Sequence, residues 1–130
     1  AQRIGLASNA GKLKFRHGPL DLGFETGRDH PIGRNFDKVH FHDESYWQMQ
    51  GDNSKIRVLA TGMEEGAAQP LFWTMEPAQG RVFVSILGHY SWTFDDPLFR
   101  ILLLRGIAWT ARDSIDRFNE LATIGVKLQD

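Results

Sequence analysis

The stretch that most limits what this chain can fold into is Gly80–Ala111, GRVFVSILGHYSWTFDDPLFRILLLRGIAWTA. It predicts a strand, a polar turn carrying a histidine, and then a helix. Val82, Val84 and Ile86 alternate along Arg81–Leu87 as one face of a strand does, and Phe83 and Leu87 make the other face apolar. A strand apolar on both faces is expected to be covered on both, as in the middle of a sheet flanked by helices. Gly88-His89 ends it. Asp95-Asp96-Pro97 opens the helix, because an Asp at the N-cap accepts orphan backbone N–H groups and proline suits the first helical position. Leu98, Ile101, Leu102 and Trp109 form one apolar stripe; Phe99, Leu103 and Ile107 form a second. A helix apolar nearly all round is expected to be buried.

The chain before this stretch holds strands and turns. Residues 1–14 lack periodicity and read as an extended arm. Leu20, Leu22 and Phe24 alternate with Asp21 and Gly23, a half-exposed strand. GRDHPIGRN, from Gly27, is turn-rich, with His30 biased to extended backbone by Pro31. Val39 and Phe41 alternate with His40 and His42, and Asp43-Glu44-Ser45-Tyr46-Trp47 follows. IRVLAT from Ile56 is a strand, GMEEGAAQ from Gly62 a solvated loop, and LFWTM from Leu71 a strand in a hairpin with the Gly80 segment. After Trp109, Asp113-Ser114 is expected to cap a short second helix carrying Ile115, Phe118, Leu121 and Ala122. A parallel sheet needs long, usually helical, crossovers, and none precedes Pro97. That leaves a small α+β domain or the rear portion of a larger α/β domain.

Composition narrows the function. The chain has 130 residues, enough for one core, with net charge −1 and no basic patch, which argues against duplex nucleic acid as a partner. It has no cysteine, which removes disulfides, thiolate metal sites and a cysteine nucleophile. No apolar run is long enough to span a bilayer. No membrane partner and no leader are expected, and the protein is expected to be soluble, in the cytoplasm or periplasm. The first residue is Ala1, which leaves processing, trimming and a longer parent protein open.

Six pieces in order resemble the ThuA-like (trehalose-utilisation) family: His30-Pro31-Ile32, Asp43-Glu44-Ser45-Tyr46-Trp47, Val58-Leu59-Ala60-Thr61, Pro70-Leu71-Phe72-Trp73-Thr74, Gly80-Arg81-Val82-Phe83 leading to Leu87-Gly88-His89, and Phe99 to Trp109. The resemblance runs from His17 to Ala111. It implies a class I glutamine-amidotransferase-like, flavodoxin-related α/β fold, a layered sheet with flanking helices, in a domain longer than this chain. The matched region looks like its C-terminal portion. On this reading 1–14 is an arm, 15–112 the ThuA-like domain, and 113–130 a C-terminal helix and tail. Amidotransferase chemistry is not carried over, since its nucleophile is cysteine. Strand and helix faces left bare are expected to be covered by a partner chain or a second copy; a trimmed fragment is the third possibility.

His89 lies just past the strand, where ligands collect in open α/β sheets, and a neutral imidazole there can act as general base. Asp43 or Glu44 is the expected second acid/base group. The resemblance adds His30 through its His-Pro pair. Tyr46, Trp47, Tyr90 and Trp92 are candidate walls of a sugar pocket, and His17, beside Arg16, is a candidate for binding hydroxyls. His40, His42 and Glu44 share strand parity and form a weaker metal-ligand alternative; no cofactor is otherwise expected. Arg81 and Arg105 lie in apolar segments and need partners, for which Asp95, Asp96 and Glu44 are available. The expected function is carbohydrate catabolism, with acid/base chemistry on a sugar or oxidised sugar as isomerase, lyase or hydrolase. The alternative is a non-catalytic subunit of a larger assembly.

Overall fold

The computed structural model describes residues 1–125. Strand β1 (Leu6–Ala7) lies in the N-terminal arm. Strands β2 (Lys14–Gly23) and β3 (Lys38–Trp47) pair antiparallel along their length, with Leu20 opposite Phe41 and His17 opposite Glu44. Strand β4 (Gln50–Gly51) pairs with β1, so the arm is tied down as a two-stranded ribbon. Then come β5 (Arg57–Glu64), β6 (Ala67–Met75), β7 (Val82–Ser85) and one α-helix, α1 (Pro97–Thr110). The main sheet has the order β3-β2-β5-β6-β7.

This is the mixed α/β content expected, in the α+β arrangement. Every strand pair is antiparallel among the described residues. The layered parallel sheet with flanking helices that the resemblance implies is therefore not what these residues build. The cause is connectivity: antiparallel strands need only short turns, and no α-helix precedes Pro97.

Alternation sets the faces of β2 and β3. Leu20 and Leu22 on β2, and Val39, Phe41 and Asp43 on β3, point into the body, while the residues between them point out. The core joins Leu20, Leu22, Phe24, Phe41, Leu59, Leu71 and Phe72 to Phe99 and Leu102 of the helix. Each such side chain contributes about 1.5–3 kcal/mol on full burial. The sheet curls, bringing β3, at one edge, close to β6 and to the loop that follows β7. That curl lets the two ends of the strand order share one site.

Several expectations change. Among the described residues the Val82–Ser85 strand is an edge, paired only with β6, and its side chains are half-buried rather than enclosed. Its apolar second face served the hairpin and the helix, not a second strand. GMEEGAAQ is not a loop: β5 and β6 run on to a two-residue turn at Glu65-Gly66, whose φ values of 51° and 79° suit a type I′ hairpin. Small and charged residues there hid the alternation. The helix opens as expected, with Asp96 Oδ1 accepting from the N–H of Leu98 at 2.8 Å and of Phe99 at 3.4 Å. It is not buried all round: Phe99, Leu102, Arg105, Gly106 and Trp109 face the body, whereas Leu98 and Ile107 are exposed. The expected second helix is only turns and a 3-10 segment, Asn119–Thr123; residues 126–130 of the expected tail lie outside the described residues.

The arginines also find other partners. Buried Arg105 donates to Asp116 at 3.0 Å and to the Arg34 carbonyl at 2.7 Å. Arg81 donates to Glu76 and to the Trp109 carbonyl, with its guanidinium over the Trp109 ring. Asp95 pairs with Arg100 instead.

Gly106 is where α1 meets β7. A Cβ there would lie 2.2 Å from a ring carbon of Phe83. Gly106→Ala is expected to destabilise the fold, because overpacking costs about 1–3 kcal/mol against a helix-propensity gain of about 1 kcal/mol. A lower urea midpoint is the expected result; a higher one would show that Phe83 moves aside freely.

Candidate functional site

Two adjacent residues on β3 set up the site. Asp43 points inward and Glu44 outward, as strand parity requires. Both are buried, at 0% and 3% exposure, and a buried carboxylate needs charge-assisted partners. Each finds them in the segment after β7.

Asp43 takes backbone. Its Oδ2 accepts from Gly88 N–H at 2.9 Å, and its Oδ1 from His89 N–H at 3.0 Å and Glu44 N–H at 2.7 Å. Gly88 has φ 127°, a conformation that side chains disfavour, and it aims two successive N–H groups at one carboxylate. Trp92 Nε1 donates to the His42 carbonyl at 2.8 Å, so the same loop covers part of the free edge of β3.

Glu44 takes side chains. His89 Nδ1 lies 2.9 Å from Oε2, His17 Nε2 lies 3.3 Å from Oε1, and the Tyr46 hydroxyl donates to Oε2. His17 arrives because β2 and β3 pair with it directly across from Glu44. Its Nδ1 lies 2.6 Å from the Tyr90 hydroxyl. The Glu44 carboxylate, by hydrogen bond and charge, and burial push the Tyr46 phenol up to about 12, so Tyr46 is a fixed donor rather than a base.

The exposed rim is aromatic. Tyr90 and Trp92 stack at 4.1 Å with an interplanar angle of 13°, and His42 lies against both. His17 and His89 meet edge to face at 5.1 Å, each about half exposed. One donor atom from each of His17, Glu44 and His89 lies within 4.8 Å of the others.

His17, Asp43, Glu44, Tyr46, His89, Tyr90 and Trp92 are thus brought together. Four other sequence candidates are not. His30 is buried; its Nδ1 accepts from Ile32 N–H at 3.2 Å and its ring meets Trp109. Burial, with Arg57 nearby, holds its pKa below the ordinary value, so it stays neutral in the interior. Trp47 points to the other face of β3, where Nε1 donates to Glu65. His40 shares the outer face with Glu44 but pairs with Asp21, so it and His42 do not converge on one point with Glu44. Arg16 is committed to buried Glu64, which also accepts from Ser45. Glu64 escaped the sequence reading because it sits in the segment taken for a loop.

Asp43 accordingly ties the loop after β7 to β3: its oxygens are filled by backbone N–H groups. Asp43→Asn is expected to lose about 1.5–3 kcal/mol, since one acceptor oxygen becomes an NH2 facing another donor. Hydrogen exchange at the Gly88 and His89 amides should accelerate more than at β5 or β6 amides. Uniform acceleration would mean that Asp43 does not specifically anchor the loop.

Comparison with known proteins adds the lineage. No curated protein and no solved structure is matched. No helix of the described residues is long and apolar enough to cross a membrane. A family model described as ThuA, trehalose utilisation, matches residues 9–110, a span that runs through β2 to α1 and holds the whole cluster. The chain therefore belongs to the ThuA family of trehalose utilisation.

Proposed function

We propose that the Glu44-centred cluster carries out acid/base chemistry on trehalose or an oxidised derivative of it, with His89 as the base. The observation that carries this reading is the His89 Nδ1–Glu44 Oε2 contact at 2.9 Å to a buried carboxylate. A carboxylate on Nδ1 selects the Nδ1–H tautomer and leaves Nε2 as the free basic nitrogen. When Nε2 takes a proton, from a carbon beside a carbonyl or from an attacking water, Glu44 stabilises the imidazolium that forms. His17, with Nε2 on Glu44 and Nδ1 on the Tyr90 hydroxyl, has both nitrogens engaged and holds Glu44 and Tyr90 in place beside His89. The stacked Tyr90 and Trp92 rings offer a flat apolar surface suited to the C–H face of a pyranose. A glutamine-amidotransferase-like body, with this antiparallel sheet as its C-terminal portion, is consistent with the family.

A second reading, a non-catalytic subunit, is favoured by two observations. Leu103, Leu104, Ile107, Leu121 and Ile124, with Arg100, line an open, mainly apolar groove of about 450 Å3 on the far side of α1, and β7 leaves an edge unpaired among the described residues. A second copy or partner chain would cover both.

The test is proton exchange. Chelator-treated protein is incubated in D2O with trehalose bearing a ring carbonyl, and deuterium entering the carbon beside the carbonyl is followed by NMR. Wild type is expected to exceed buffer, and His89→Gln and Glu44→Gln to lose about 100-fold or more of that rate, with His40→Ala unchanged. Exchange undiminished in His89→Gln would overturn the role of His89. A silent wild type would favour the subunit reading.

A further inference from the structure

We infer that His17, Glu44 and His89 form a site for one divalent transition-metal ion of the zinc type, taken through His17 Nε2, a Glu44 oxygen and His89 Nδ1. The inference rests on the reading that this cluster is the working site; the ion and the His89 base are alternative states of it, because metal on Nδ1 moves the His89 proton to Nε2.

Three independent stretches of chain, β2, β3 and the loop after β7, deliver one donor atom each to the same place. The spacing suits coordination. Around an ion with bonds of about 2.0–2.1 Å, tetrahedral neighbours stand roughly 3.3 Å apart. His17 Nε2 stands 3.3 Å from Glu44 Oε1 and His89 Nδ1 stands 2.9 Å from Oε2, and one donor atom of each residue lies within 4.8 Å of the others. Small movements suffice for an ion to replace the two N–H···O contacts. In that state each imidazole keeps its single proton on its other nitrogen: Nδ1 of His17, facing the Tyr90 oxygen at 2.6 Å, and Nε2 of His89.

The surroundings resemble an outer shell. Ligating histidines ordinarily give their second nitrogen a fixed partner, and ligating carboxylates are themselves hydrogen-bonded. Tyr90 does the first for His17, and Tyr46 the second for Glu44. Two imidazoles and one carboxylate select zinc, cobalt, iron(II) or manganese over calcium and magnesium, which want oxygen ligands. The half-exposed rings leave an open side, as catalytic rather than structural zinc sites do. The histidines differ from the pair that strand parity suggests: Glu44 is kept, but His40 and His42 are replaced by His17 and His89.

The experiment adds zinc(II), then cobalt(II), to chelator-treated protein and reads stoichiometry by elemental analysis and the cobalt visible spectrum. One ion per chain is expected. His17→Gln, Glu44→Gln and His89→Gln should each weaken binding by about 100-fold or more, and Tyr90→Phe by about 10-fold. The His40→Ala/His42→Ala double variant should bind as wild type does. No stoichiometric ion, loss of binding in that double variant, or zinc held by Tyr90→Phe as tightly as by wild type would each overturn the site. If Glu44→Gln fails to fold by circular dichroism, Tyr90→Phe carries the test, since it removes only one outer oxygen. Affinity is read without substrate, and proton exchange without metal, so the two proposals fail independently.

Discussion

The constraint on which the site depends is the burial of two neighbouring carboxylates on an edge strand. Parity sends Asp43 and Glu44 to opposite faces of β3, so each needs donor groups of its own. Neither can stay buried and charged without donors. One loop answers both: its backbone N–H groups satisfy Asp43, and its imidazole satisfies Glu44. The strand thereby fixes the loop, and the loop in turn shields the strand's edge through Trp92.

The remaining architecture serves to bring that loop to β3. β7 and β3 stand at opposite ends of the strand order. Only a curled sheet lets the segment after β7 reach Asp43, and the helix helps to hold the curl by filling the interior with Phe99 and Leu102. Phe99 touches Phe41, Phe72 and Phe94 in turn, linking β3, β6 and the loop through one ring. The N-cap at Asp96, a few residues after His89, starts the helix where the loop ends. Geometry at Glu44 is thus tied to core packing, and a loosened core would blur the distances on which either chemistry depends.

Much of this was legible in the residues, and the failures have physical reasons. Asp95-Asp96-Pro97 marked the helix start because capping is local chemistry. His89, Glu44, Tyr46, Tyr90 and Trp92 could be singled out by type and by their place at strand ends. What distinguished Asp43 from Glu44 was parity on a strand longer than the alternation Val39–His42 suggested. His17 became a partner of Glu44 only through strand register, which a fourteen-residue connection does not declare. The edge position of β7 was hidden because apolar alternation looks the same in a central strand and in an edge strand backed by a helix. His30 looked chemical for its His-Pro setting, yet its ring is spent on Ile32 and Trp109.

The central claim is that Glu44 dictates which nitrogen of His89 carries the proton. Long-range 15N–1H correlation of the imidazole side chains, on chelator-treated protein at neutral pH, reads this directly. The account predicts His89 as the Nδ1–H tautomer with Nε2 unprotonated, reverting in Glu44→Gln to the Nε2–H form that free imidazoles of histidine prefer. His89 already in the Nε2–H form in the wild-type protein would contradict it.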